Sequence, residues 1–165
     1  MSTRKPELRR AVPGDLAAIK GLLADCGLPT VDLTSQSLEG FHVALAADEM
    51  IGVAGIEMAG SYALLRSVAV RPGLRASGLG RRLVAASENL ARSRGVLSIY
   101  LIPNDDAAKR YFSHLGYAAI DRKQVPPPLT QLAEFTSLCP QTHPCLRKGL
   151  DPHVAEEAIQ ATGSI

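Results

Sequence analysis

The sequence predicts a single α/β (α+β) domain whose sheet is flanked by helices. Three observations predict it. Three β-compatible runs lie close together between residues 41 and 70. An amphipathic helix follows the third run after a short loop. A strand, helix and strand then succeed one another between residues 97 and 122. At 165 residues the chain is long enough for one core of ordinary size and too short for two. The expected division is a single domain over residues 1–150 and a polar tail over 151–165.

The elements follow in order. Glu7 to Ala11 reads as a first strand. Gly14 to Cys26 places Leu16, Ile19, Leu22 and Leu23 at helical spacing and stops at Gly27. Leu28 to Leu38 contains Pro29 and no clear period, which predicts a loop or a broken helix of the kind that lies over a pocket. Phe41 to Ala47, Ile51 to Met58 and Tyr62 to Val70 fit three antiparallel strands joined by short turns. Pro72 and Gly73 stop the third strand. Gly78 to Arg94 then sets Leu79, Leu83, Ala86 and Leu90 on one stripe, closed by Gly95. Leu97 to Ile102 reads as a buried strand, Asp105 to Leu115 as a short helix and Tyr117 to Arg122 as a further strand, a βαβ-like crossover. Beyond Pro126-Pro127-Pro128 the reading is a strand near Glu134 to Leu138, a Cys/Pro-rich loop and the tail.

Composition narrows the function classes. The net charge is +2 with both signs mixed, aromatics make up 4% and Trp is absent, which disfavours nucleic acid as a partner. Met1 to Arg10 is polar with no apolar run behind it, so neither a signal peptide nor a membrane span is expected and the expected location is the cytoplasm. Three cysteines, Cys26, Cys139 and Cys145, are read as free thiols. Cys139, His143 and Cys145 offer three soft ligands within seven residues but no fourth, and no metal is expected.

The main chemical signal is Arg75-Ala76-Ser77-Gly78-Leu79-Gly80, placed between a strand and an amphipathic helix. Unpaired N–H groups and the helix dipole favour an anion there, and glycines admit a pyrophosphate close to the main chain. Arg71, Arg75, Arg81 and Arg82 add positive charge. No Gly-Lys-Ser/Thr ending and no third glycine are present, so neither a nucleoside triphosphate nor a dinucleotide is favoured.

This loop, after Val68-Ala69-Val70, resembles the pyrophosphate motif of the GCN5-related N-acetyltransferase (GNAT) family. Asn104, Tyr111 and Leu115-Gly116-Tyr117 match that family's later motif. The likeness covers about Leu8 to Arg122. More narrowly, Leu64 to Val70 and Glu134 to Pro140 look like the acetyltransferases of arsenic-resistance operons.

The resemblance implies a mixed, mostly antiparallel sheet splayed between the two parallel strands that end at Val70 and Ile102, with the pantetheine of acetyl-CoA in the cleft. It implies that the backbone of Val68, Ala69 and Val70 pairs with pantetheine, that Arg75, Ala76, Ser77, Gly78, Leu79, Gly80 and Arg81 hold pyrophosphate, and that Asn104 and Tyr111 complete the cosubstrate site. The implied reaction is direct acetyl transfer from acetyl-CoA, a cosubstrate needing no metal, to a small-molecule amine, with a homodimer left open. Glu57, a carboxylate inside an apolar strand, is the expected base. The family's leaving-group acid is a Tyr four residues before the Gly of Leu115-Gly116-Tyr117, where this chain has Phe112; its neighbour Tyr111 can replace that acid only if the helix is rotated or locally distorted, whereas counting from Asn104 puts Tyr111 in the usual register. Ser67 is a further candidate for acid or oxyanion donor. Arg66, Leu28 and Phe41 are expected at the acceptor. Arg66 either binds a carboxylate of an amino acid or amino-acid-like arsenical, or it faces solvent or pairs with an acidic neighbour; strand alternation forbids Arg66 and Ser67 from sharing a pocket unless a bulge intervenes. The alternative reading is a catalytically weak acetyl-CoA-binding or thiol-based sensor of arsenicals or metals.

Overall fold

A computed structural model describes residues 5–138 and 143–150. Seven strands form one sheet in the order β1-β2-β3-β4-β5-β7-β6, with β1 at Glu7–Arg10, β2 at Phe41–Ala46, β3 at Glu49–Ala59, β4 at Tyr62–Val70, β5 at Ser98–Leu101, β6 at Ala118–Ile120 and β7 at Cys145–Gly149. All neighbouring strands are antiparallel except β4 and β5. The helices are α1 (Leu16–Asp25), α2 (Leu79–Ser93), α3 (Asp106–His114) and the single turn α4 (Pro127–Thr130).

The apolar residues sort onto two faces. Ile56, Ala63 and Leu65 pack with Val84 and Ala91 of α2 and Phe112 of α3, while Val70 and Ala54 meet Leu79 and Leu83 at the start of α2. On the opposite face Val43, Val53 and Ala69 pack under Ile19, Leu22 and Leu23 of α1, and Leu64 and Tyr100 pack with Leu129 and Phe135. Burial of the α2 stripe is what makes the Gly78 to Arg94 pattern legible, since a strongly amphipathic surface helix must put one face on the sheet.

Two expectations fail in the last third of the chain. Glu134–Leu138 is a π-helical turn rather than a strand, and the last strand is instead Cys145–Gly149, inside the stretch read as a Cys/Pro-rich loop. This strand inserts between β5 and β6 and pairs antiparallel with both, so the β5-α3-β6 unit is not a simple crossover onto an adjacent strand. Cys145 and Leu146 are completely buried, as a central strand demands. The segment before β2 is turns and a single 3-10 turn at Ser37–Gly40, held down by buried Leu33 and Leu38. Cys139 and the tail lie outside the described residues.

Candidate active site

β4 and β5 pair only from Tyr62 with Ser98 to Leu64 with Tyr100. From Leu65 onward β4 continues to Val70 with no strand beside it on that edge among the described residues, and the two strands diverge around a cleft of about 380 Å³. One wall is Leu65 to Val70 and the other runs from Leu101 through Pro103, Asn104 and Ala108 to Tyr111; Leu28 and Pro29 of the loop after α1 also line it.

At one end of the cleft stands the glycine-rich loop. Arg75–Ser77 forms a 3-10 turn, and Gly78, at φ +80°, makes the left-handed step that turns the chain into α2. Leu79, 3% exposed, anchors the first turn in the core, and the next residue, Gly80, faces the cleft beside Val70 and Arg75. A Cβ at Gly80 would lie 2.8 Å from the Tyr111 hydroxyl, so that hydroxyl rests against the glycine. Ser77 and Gly78 are exposed, Arg81 follows on α2, and the Arg75 guanidinium reaches the Val70 carbonyl at 3.4 Å. Tyr111 reaches this position from an unbroken α3, while Phe112 turns into the core against Tyr117 at a ring separation of 5.9 Å. The helix therefore presents Tyr111 and hides Phe112 without distortion. Burial raises the Tyr111 phenol, with Arg81 pulling the other way, and it is protonated at neutral pH.

At the other end β4 carries a bulge. Val53 pairs with Ala69 and Gly55 with Arg66, so Ala54 alone opposes Ser67 and Val68, and Ser67 adopts φ +56°. The extra residue turns Ser67 to the same face as Arg66, which donates from Nε to Ser67 Oγ at 3.0 Å. Ser67, Val68 and Ala69 all line the cleft.

Arg66 is completely buried and paired with three carboxylates. Both of its terminal nitrogens bond Asp32 of the loop after α1; Nη1 also donates to Glu57 Oε1 at 2.5 Å, and Nε lies 3.4 Å from Glu134 Oε1. Burial works against the guanidinium charge, but the hydrogen bonds donated to Asp32, the charge of Glu134 and the hydrogen bond donated to Glu57 outweigh it and raise its pKa. Burial also pushes Asp32 up, and the hydrogen bond and charge of Arg66 more than reverse this, holding it below the usual carboxylate value. Glu134 goes the other way: burial, joined by repulsion from Glu57 and Asp32 and only partly offset by Arg66, pushes it up to about 7. Among the described residues no group of three His, Cys, Asp or Glu side chains is disposed to hold a metal ion.

A family model described as the acetyltransferase (GNAT) family matches residues 19–117. The chain belongs to this family. The chain thus has the fold that the loop and cleft pointed to. N-acetylglutamate synthase from Neisseria gonorrhoeae, complexed with coenzyme A and N-acetyl-glutamate, superposes with a TM-score of 0.76 at 17% identity, over 91% of this chain and 36% of the synthase, so the chain spans about a third of that protein. Rv2747 from Mycobacterium tuberculosis, in complex with CoA and NLQ, gives 0.70 at 22% identity over 88% of this chain and all of that one. The PaiA N-acetyltransferase from Thermoplasma acidophilum, in complex with coenzyme A, gives 0.61 at 13% over 89% and 100%. No curated protein matches the sequence. Among the described residues no helix is long and apolar enough to cross a membrane.

Of the expected residues, the cleft gathers Arg66, Ser67, Val68, Ala69, Val70, Arg75, Gly80, Asn104, Tyr111 and Leu28. Phe41 is elsewhere: it is completely buried under α1, its ring within 2.4 Å of where a Cβ at Gly55 would lie. Glu57 meets Arg66 but does not line the cleft. Three polar or thiol side chains that the sequence reading had not placed at the site, Cys26, Glu134 and His143, also line the cleft. Cys26, its Sγ 3.7 Å from the Arg75 guanidinium, closes the loop end, and Glu134 and His143 belong to the segment read as strand and loop. The motif Glu134-Phe135 was visible as part of a resemblance; nothing in its spacing assigned it to the cleft.

Proposed function

We propose that this protein moves the acetyl group of acetyl-CoA directly to the amine of a small molecule. The observation that carries this reading is the unpaired edge of β4 from Leu65 to Val70, running from the Arg66 cluster to the Gly80 loop along one cleft. Pantetheine lies along that edge as an added strand would, with its pyrophosphate at the N-terminus of α2. The acceptor enters beside Ser67 and Arg66.

Each side chain has a job in this reading. Ser67 Oγ already accepts a bond from Arg66, so its own proton is free to be donated to the thioester oxygen as charge develops there. Tyr111, protonated at neutral pH, donates to the departing thiolate. Glu57 holds Arg66 in place and is a positioning residue. An amino acid or amino-acid-like arsenical bound through Arg66 has the N-acetyl-glutamate of the gonococcal synthase in its favour. Against it, the three carboxylates already around Arg66 leave that guanidinium no net positive charge to offer, and an amine without a carboxylate is favoured.

The test is amine-dependent release of the CoA thiol against a panel of alkylamines, arylamines, amino acids and amino-acid-like arsinates. Turnover with at least one amine, abolished by removing the amine, is expected. No release with any of them would refute the reading.

A further inference from the structure

Glu134 is the most buried of the three carboxylates around Arg66, with a side-chain exposure of 8% against 21% for Asp32 and 27% for Glu57, and it is the one that lines the cleft. Phe135 fixes it there, packed among Leu64, Tyr100, Leu129 and Cys145 at the start of the π-helical turn. Asp32 spends both oxygens on Arg66 and Glu57 bonds it at 2.5 Å. The ion pair of Glu134 is looser, at 3.4 Å, and shares its nitrogen with Ser67. Ser67 Oγ and Glu134 Oε1 thus share one guanidinium nitrogen, and both residues line the cleft.

We propose that Glu134 is the base that takes the proton from the acceptor, and that the acceptor arrives as an ammonium with no carboxylate beside it. This rests on the acetyltransferase reading of the same cleft. The charged and polar groups around Glu134 are Arg66 and Ser67 from β4, Glu57 from β3 and Asp32 from the loop after α1, and His143 lines the same cleft. With Glu134 ionised, three carboxylates confront one guanidinium, and an incoming ammonium is the counter-charge that this arrangement lacks. An acceptor carboxylate would add a fourth anion.

The step balances. The Glu134 carboxylate removes one proton from R–NH3⁺. The freed nitrogen lone pair forms the C–N bond to the thioester carbonyl, the C–S bond breaks, and its electron pair leaves on sulfur. The second proton lost by the nitrogen is matched by the one delivered to the thiolate, so ammonium and acetyl-CoA give amide, CoA thiol and one proton released to solvent from Glu134. A carboxyl titrating near neutrality suits this work, because it is ionised often enough to act and basic enough to draw the proton.

The experiment is the pH profile of kcat/KM for the wild type, Glu134→Gln, Glu134→Asp and Glu57→Gln with a carboxylate-free amine, together with titration of CoA as a control for folding. The wild type should lose activity on an acid limb near pH 7. Glu134→Gln should bind CoA as the wild type does, lose activity about a hundredfold or more and lose the limb. Glu57→Gln should keep the limb. If Glu134→Gln fails to bind CoA, Glu134→Asp decides: a slower enzyme with the limb retained supports the proposal, and an unchanged rate overturns it. An active Glu134→Gln enzyme with the wild-type limb overturns this proposal alone. A wild type without amine-dependent turnover overturns the cleft assignment with it.

Discussion

Arg66 and Ser67 are consecutive residues of one strand, yet their side chains meet, Nε to Oγ at 3.0 Å, on the same face of the sheet. Regular alternation forbids this, and the bulge opposite Ala54 permits it, at the cost of a serine held at φ +56°. A β-branched residue resists that conformation more strongly than serine does. Ser67→Val should therefore destabilise the fold by about 1–3 kcal/mol, whereas Ser67→Gly should hold or raise the melting temperature while losing the hydroxyl. Thermal unfolding of the two variants, read beside their turnover, separates the backbone requirement from the chemical one. Equal stability of valine and glycine at this position would contradict the strain.

The guanidinium of Arg66 keeps three carboxylates tolerable in the interior. Arg66→Met retains the apolar stem and leaves the carboxylates facing one another, so about 3–5 kcal/mol of stability should be lost at pH 8. Acidification should recover part of it as the carboxylates take up protons. Arg66→Lys should not restore the wild type, since an ammonium cannot make the two-nitrogen bond to Asp32. Urea denaturation at pH 5 and pH 8 measures both effects, and a loss independent of pH would contradict the charge argument.

Glu134 and Asp32 should act on stability in opposite directions. Glu134 in the folded chain titrates at about 7, above its ordinary 4.5, so between those values the folded state binds more protons than the unfolded state. Its contribution is complete below about pH 4.5 and is lost as pH rises through 7, on the order of 3 kcal/mol in all. Asp32 is lowered, so its contribution is present above the ordinary carboxylate range and lost as pH falls through its folded value. Glu134→Gln should then match the wild type near pH 5 and exceed it at pH 8. A variant less stable than the wild type by the same amount at both would show that Glu134 is not held neutral.

How far the sequence was readable follows from where the determinants lie. The loop, α2 and the β4–β5 cleft depend on local features: the glycines at 78 and 80, the Leu79-Leu83 stripe and the punctuation by Pro72 and Gly73. These announce themselves within a few residues. β7 does not, because a five-residue strand buried by insertion between β5 and β6 needs no alternating pattern, and Pro140 and Pro144 nearby argue for a loop. Phe41 looked available for a pocket wall, but its ring fills the space left by Gly55 on the neighbouring strand, a long-range fact. The role of Arg66 depended on Asp32 and Glu134, which are 34 and 68 positions away along the chain and converge only in the fold.

Gly80 couples the anion loop to the candidate acid. Because a Cβ there would fall 2.8 Å from the Tyr111 hydroxyl, any side chain must drive that phenol out of place or shift the first turn of α2, which Leu79 pins in the core. Turning the phenol is the easier adjustment, so Gly80→Ala should cost little stability and much activity, and Gly80→Val, with two further methyl groups in the cleft, should also weaken acetyl-CoA by about a hundredfold or more. Tyr111→Phe removes the oxygen that the new Cβ meets. In a double-mutant cycle the stability cost of Gly80→Ala should therefore shrink in the Tyr111→Phe background, giving a coupling of about 0.5–1 kcal/mol, while activity should not return because the proton donor is gone. Calorimetric titration with acetyl-CoA and thermal melts of the four proteins make the measurement. Additive stabilities would show that Tyr111 does not rest on Gly80, and wild-type acetyl-CoA affinity in Gly80→Val would remove the loop from the cosubstrate site.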